Sequence, residues 1–403
     1  MNTICLVLDC LHPGFLGPYG NTWIHSPSFD LLASQAFTFD YALVDSPHLE
    51  SLYRSYWQFT HALRVEHDEK PLSLPVRLRE AGLSTVLMTD EPAVADHPLA
   101  VHFDQRVPIT SPRELRIAEQ LDDTYLASCF AGLVEWLDRA PDGFFLWCHL
   151  AGMGRVWDAP MEYREAYRVS GDPRPFADFE VPDRRLPADY DPDELFSIVQ
   201  AYAGQLTLLD RCMGGLLKMI DNSSLGSETL LVVLGARGFP LGEHRRVGFC
   251  DSALYGELVH IPVFLRLPNG LGAAGRSHAL LQSADLSATL LDVNGLSLPK
   301  PPRAASLLPI VRGEQERLHE CVVIAGTASE RAIRTPAWYL RRAERAELYL
   351  KPDDRWEAND VANRCGEIVE QLDEAMTNIS HAIQDPHAAP SPQISDILIS
   401  GLE

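Results

Sequence analysis

The run Leu230 to Leu234 enters the turn Gly235-Ala236-Arg237-Gly238, and Gly242-Glu243-His244 follows closely. A buried strand that hands its chain to a glycine-flanked turn is a common way to build a metal or phosphate site in an α/β protein. Here the tip carries a methyl group and a guanidinium. Arg237 therefore reads as an anion-binding or charge-pairing residue rather than a metal ligand. Other strand-like runs end in comparable groups. Residues 3–9 end at Asp9, followed by Cys10. A carboxylate at the tip of a buried strand is costly unless it binds something or caps the next turn. Cys10 is either a soft metal ligand or a small hydrophobe. The run 143–150 carries His149, which reads as a base, a ligand or a satisfied core residue. Downstream, Asp251, Glu257 and His260 join His244 as candidates for a strand-end crevice, and Glu243 alternatively caps local backbone amides.

A second cluster lies in "DSPHLESLYRSYWQFTHAL", residues 45–63. Ser46-Pro47 is the expected start of a helix whose apolar stripe is Leu49, Leu52, Tyr53, Tyr56 and Trp57, with Glu50, Ser51, Arg54 and Ser55 on the other face. Helix N-termini attract anions, so Ser46, Ser51 and Arg54 could surround a sulfate or phosphate ester. Glu50 and Arg54, spaced i,i+4, would equally well pair with each other. The catalytic candidates are thus Ser51, Arg54, His149 and His244. The anion-binding candidates are Arg54 and Arg237, and the candidate metal ligands are Asp9, Cys10 and Asp251.

These groups need strands to aim them. Apolar runs at 3–9, 84–90, 143–150, 229–235 and 261–267 alternate with helical stretches. One helix is expected from Ser111-Pro112 to about Arg139, and another opens at Asp191-Pro192. Continuous apolar strands separated by helices imply an α/β fold with a mostly parallel central sheet covered on both faces. The proline-rich acidic stretch 170–194 is a long surface excursion. Short strand-like units after residue 313, then a helix around Glu367 to Met376, imply a small C-terminal α+β subdomain. The expected division is 1–313, 314–384 and a loosely ordered tail, 385–403.

A formal net charge of −22 disfavours phosphate backbones and anionic lipid as partners. No stretch approaches the roughly 20 apolar residues of a membrane span, and "MNTICLVLDC" reads as a first strand rather than a signal peptide. The eight cysteines show no CxxC spacing. They read as reduced thiols of a cytoplasmic protein.

In order along nearly the whole chain, these segments resemble the sulfatase family of the alkaline-phosphatase-like superfamily. "ICLVLDCLHPGFLGPYGNTWIHSPSFDLLASQAFTFDYAL" is similar to the family's first block, where a strand delivers two consecutive aspartates. "LVVLGARGFPLGEHRRVG" with "LYGELVHIPVFLRLPNG" is similar to the metal turn and the next strand, "ADLSATLLDVNG" to the late helix, and "AELYLKPDDRWEANDVA" to the C-terminal subdomain. The resemblance implies a divalent metal held by the paired aspartates and by an Asp-His or Asp-Asn pair in a Ser-Asp-His-Gly turn. It also implies a Cys or Ser nucleophile in Cys/Ser-x-Pro-x-Arg. In this chain Cys10 replaces the second aspartate, and the turn pair falls at Ala236-Arg237. Counting back from Arg54, the nucleophile falls at Glu50, with Ser51 beside it. The expectation is a sulfatase-like protein without the usual metal chemistry and with no cofactor, in which Arg237 fills the cation's place opposite Asp9. Its ligand would be a small anion or ester. The alternative is a hydrolase with a rebuilt site, one divalent metal (Ca²⁺ or Zn²⁺) near Asp9, Cys10, Asp251, His244 and His48, and a serine nucleophile. Phosphotransfer, as in the superfamily's mutases, is a third.

Overall fold

The computed structural model describes residues 1–64, 72–109, 115–298, 304–327, 330–384 and 394–401. Eight strands form the central sheet: β1 (Asn2–Leu8), β2 (Phe37–Leu43), β3 (Ser84–Thr89), β4 (Gln105–Pro108), β5 (Phe144–Leu150), β6 (Thr229–Gly235), β7 (His260–Arg266) and β8 (Arg276–Gln282). Their order is β8-β2-β7-β6-β1-β5-β3-β4. β1 lies parallel to β5 and β6, and β3 lies parallel to β5 and β4. β7 runs antiparallel to β6. The expected mostly parallel α/β sheet is thus present, and the five apolar runs are five of its strands.

The chain divides into two compact units. One comprises 1–40, 78–250 and 261–276; the other comprises 41–77, 251–260 and 277–403. In the first, β5 and β6 are buried at every residue, which explains why their sequences read as unbroken apolar runs. Helix α1 (Pro27–Gln35), helix α3 (Tyr125–Asp138) and the 30-residue helix α4 (Pro192–Asp221) belong to this unit. The start expected for α3, Ser111-Pro112, lies outside the described residues; the helix begins at Tyr125, and the Thr124 side chain accepts from Ala127 N–H.

α4 carries polar residues inside an apolar pattern, and each has a structural task. Asp210 accepts from the Ser28 and Phe29 amides, so it caps α1 from a different element. Gln205 accepts from Ala159 N–H and donates to Asp158, whose other oxygen accepts from Tyr125 N–H.

The second unit contains helix α2 (Leu49–Gln58), helix α5 (Ser283–Val293), the antiparallel sheet β9 (Val322–Ala325), β10 (Arg331–Arg334), β11 (Trp338–Arg342) and β12 (Ala346–Leu350), and helix α6 (Gly366–Gln384). Ile368, Leu372, Ala375 and Met376 of α6 join Val323, Ile333, Leu340 and Leu348 in one core. Of the tail, 385–393 and 402–403 fall outside the described residues, and Asp396–Ser400 is a short helix. Among the described residues no helix is long and apolar enough to cross a membrane.

Candidate functional site

In the first unit the carboxyl ends of β1, β3, β5 and β6 gather the polar groups. Asp9 N–H donates to Leu150 O at 3.0 Å and Ala236 N–H donates to Leu8 O at 3.2 Å, so the ladder runs one residue past β1 on both sides. Asp9 is only 2% exposed. Arg237 reaches back from the turn after β6 and grips it with two donors. Nε donates to Oδ1 at 3.0 Å and Nη2 donates to Oδ2. Oδ1 also accepts from Cys10 N–H at 3.0 Å. The guanidinium carbon lies 4.0 Å from the centroid of the Phe249 ring. Burial opposes the charge on Arg237, but the Asp9 carboxylate outweighs it and holds the group protonated, above its ordinary range.

Cys10 adopts a left-handed backbone conformation, φ 62°, and is fully buried. Its carbonyl accepts from Tyr202 O–H at 3.1 Å, and that hydroxyl accepts from His12 N–H. A Cβ at Gly154 would overlap the Cys10 sulfur, so glycine is required there. Burial and then the neighbouring Asp9 charge push the thiol well up, which makes it a protonated, inert sulfur. His149, fully buried in β5, is driven toward the neutral imidazole by burial, against the pull of Asp9, Asp90 and Glu91.

Asp90 and Glu91, at the end of β3, are site residues that the sequence reading passed over. Asp90 accepts from Tyr125 O–H at 2.5 Å and from Ala151 N–H at 2.8 Å, and Glu91 accepts from Ala93 N–H at 3.0 Å. Acids directly after a buried strand are the signal that singled out Asp9, and it applied equally to "TDE".

The turn after residue 240 is strained. His244 and Arg245 have φ of 49° and 58°, in the left-handed region that non-glycine residues rarely adopt. Glu243 Oε2 accepts from Leu241 N–H at 2.6 Å, so it caps the turn, and Arg246 donates to His244 O. Residues 184–185 pair antiparallel with 246–247, which ties the long excursion to this turn.

Ser51, Arg54 and Asp251 belong to the second unit. α2 starts at Leu49, three residues later than Ser46-Pro47 suggests, with His48 at its N-cap and Ser46 Oγ accepting from His48 N–H. The expected apolar stripe is buried, and Ser55 is buried with it. Ser51 and Arg54 are half-buried, and Arg54 donates to Arg64 O at 3.2 Å. Asp251 accepts from Ala253 N–H at 3.1 Å. The structure thus brings Asp9, Cys10 and Arg237 together, with His149 within electrostatic reach.

The groups at the strand ends do not fit a divalent cation. Both Asp9 oxygens are held by a guanidinium, Ala236 offers no donor, and Cys10 is a protonated thiol facing Gly154. Among the described residues no three His, Cys, Asp or Glu are grouped to hold a metal ion.

Comparison with known proteins gives a consistent picture. The sulfatase family model matches residues 2–296. Over 114 residues the chain is 30% identical to an N-acetylglucosamine-6-O-sulfatase of Bacteroides thetaiotaomicron, covering 28% of this chain and 20% of that protein. The chain spans between 20% and 37% of the length of such curated relatives. Two solved structures share the fold across nearly all of both chains. One is a protein in complex with its substrate D-glucosamine-2-N,6-O-disulfate (TM-score 0.75, 16% identity, 96% of this chain and 99% of that one). The other is the phosphonate monoester hydrolase of Agrobacterium radiobacter (TM-score 0.73, 15% identity, 94% and 95%).

Proposed function

Since this chain belongs to the sulfatase family, we propose that it is a member that recognises a ligand without metal-dependent ester hydrolysis. The observation that carries this reading is the two-pronged Arg237–Asp9 pair. A divalent ion at such a position stabilises developing charge and lowers the pKa of a bound hydroxyl, each effect contributing several kcal/mol. A guanidinium balances a carboxylate or holds an anion, but it does not activate a hydroxyl. The nucleophile position supports the same reading, because Glu50 occupies it.

The ligand class is a small sulfate or phosphate ester, held at the start of α2. That helix is 10 residues long and has no side-chain cap at His48. Its first amides and the half-buried Ser51 and Arg54 are suited to an anion. Purified protein should show no turnover of an aryl sulfate or aryl phosphate above buffer, with or without added Ca²⁺ or Zn²⁺. It should bind the aryl sulfate, and Arg54→Ala should weaken that binding about tenfold. Turnover that Ser51→Ala abolishes would overturn the reading.

A further inference from the structure

At the strand ends of the first unit, acids and one arginine act on the same buried groups. Asp9, Asp90 and Glu91 favour the charged form of the buried His149 imidazole and Arg237 opposes it. On the Cys10 thiol the acting groups are Asp9, Glu91 and again Arg237. The Arg237 guanidinium meets the Asp9 carboxylate directly and feels Glu91 electrostatically. That guanidinium is seated as a bound ligand would be, with Asp9 gripping its edge and the Phe249 ring on its face. Phe249 is itself backed edge-on by Phe239, which stacks on Tyr202 at an interplanar angle of 17°.

We infer that this strand-end seat is a cation cradle whose occupant is covalently attached. What it requires is a positive charge of guanidinium shape between Asp9 and Phe249, and Arg237 supplies it from within the chain. The inference rests on the reading that no divalent ion works here, and it goes further by naming the class of group the cradle takes: a planar, monovalent organic cation rather than a sulfate, phosphate or hard divalent metal. Three features favour that class. The Asp9 carboxylate is 2% exposed and offers two oxygens in one plane, matched by a fork of N–H donors. An aromatic face stabilises a delocalised cation without coordinating a metal. Glu91, which also acts on Arg237, disfavours an anion there.

Arg237→Ala tests this directly, because it leaves the cradle and removes the occupant. An uncompensated buried carboxylate should lower the melting temperature by roughly 5–10 °C. Methylguanidinium at millimolar concentration should raise the melting temperature of Arg237→Ala by several degrees and leave the wild type unchanged. The double variant Asp9→Asn/Arg237→Met, which removes both charges, should melt within a few degrees of the wild type and ignore methylguanidinium. This variant keeps the test decisive if Arg237→Ala does not fold.

An Arg237→Ala protein as stable as the wild type overturns the inference. So does one rescued by Ca²⁺ but not by methylguanidinium, or a double variant no more stable than Arg237→Ala. Ester turnover by the wild type would overturn the non-hydrolytic reading while leaving these melting shifts as they are, so the two failures are distinguishable.

Discussion

Arg164 and Arg237 lie in the same compact unit, and their surroundings handle one type of charge in opposite ways. Arg164 is fully buried, and its guanidinium donates to three backbone carbonyls: Phe176 and Asp178 through Nη1, Trp157 through Nη2. Burial pulls its pKa down to about 10, with Asp158 and Asp178 opposing from a distance. Arg237 retains 18% side-chain exposure and meets a carboxylate head-on, which raises its pKa despite burial. The first arginine works as a clamp: its donors are spread over dipoles, and it fixes the excursion 170–194 at residues 176 and 178. The second works as a counter-ion. The second unit repeats the contrast. Arg334 is bound by carbonyls and its pKa is pulled to about 10, whereas Arg341 is bound by Glu330 and Glu347 and raised. Partner type, more than depth of burial, decides whether a buried arginine shapes the backbone or neutralises an acid.

The largest expected effect comes from breaking the clamp. Arg164→Met preserves much of the side-chain volume but strands the buried Trp157 carbonyl, at a cost of about 1–3 kcal/mol. It also removes the donor from the part-buried carbonyls of Phe176 and Asp178, which cost less because water reaches them. The loss should be on the order of 3 kcal/mol, at the upper end of ordinary single-residue effects. A Cβ added at Gly204 would come within 2.7 Å of Arg164 Cγ, so the glycine makes the room through which the arginine passes. Chemical denaturation measures the loss, and hydrogen exchange at residues 176–179 should accelerate in step. If the variant matches the wild type in both, the clamp description is wrong and the excursion is held by other contacts.

A smaller effect tests the mirror image, a buried acid served by backbone donors. Asp210→Ala removes the carboxylate that caps α1 through Ser28 and Phe29. The expected cost is about 1–2 kcal/mol, with faster exchange confined to the first turn of α1. A cost as large as that of Arg164→Met would mean that the acid does more than cap.

These residues also mark where the sequence was legible. β1, β3, β5, β6 and β7 stood out as apolar runs because burial on both faces removes any alternation. β4, with three of its four residues exposed, and β8, apolar only in its second half, carry no such signal. β2 interrupts its apolar run with Asp40 and Tyr41, both half-buried. The Asp9–Arg237 pair was readable because the family resemblance set the two positions opposite each other. Arg164 and Asp210 were not readable, since their partners are backbone groups that carry no residue-specific signature. Asp210 bonds across 182 positions of sequence. Asp90 and Glu91 follow the same strand-tip logic as Asp9, but the end of the 84–90 run drew no candidate although other strand ends did.

The smallest effect belongs to a charge pair that can be switched by pH. His319 Nε2 lies 2.8 Å from Asp285 Oδ2, and Asp285, 1% exposed, also accepts from Gln282 N–H and Ala305 N–H. Among the described residues Asp285 is the charged group acting on His319. The adjacent Glu320 accepts from Ile394 N–H. Burial disfavours the imidazolium, but Asp285 outweighs it and raises the pKa above the ordinary value. The folded state therefore binds the proton more tightly than the unfolded chain. The added stability is complete below the unfolded value of about 6.5 and disappears as pH rises through the folded value. His319→Gln keeps a hydrogen-bonding side chain and discards the titration. Its stability deficit should be on the order of 1 kcal/mol near pH 5.5 and shrink toward alkaline pH. Arg237 and Arg341 stay charged throughout this range, so variants at those positions should show no matching pH trend. A His319→Gln deficit that is flat with pH would place this pair with them, as a fixed contact rather than a titrating one.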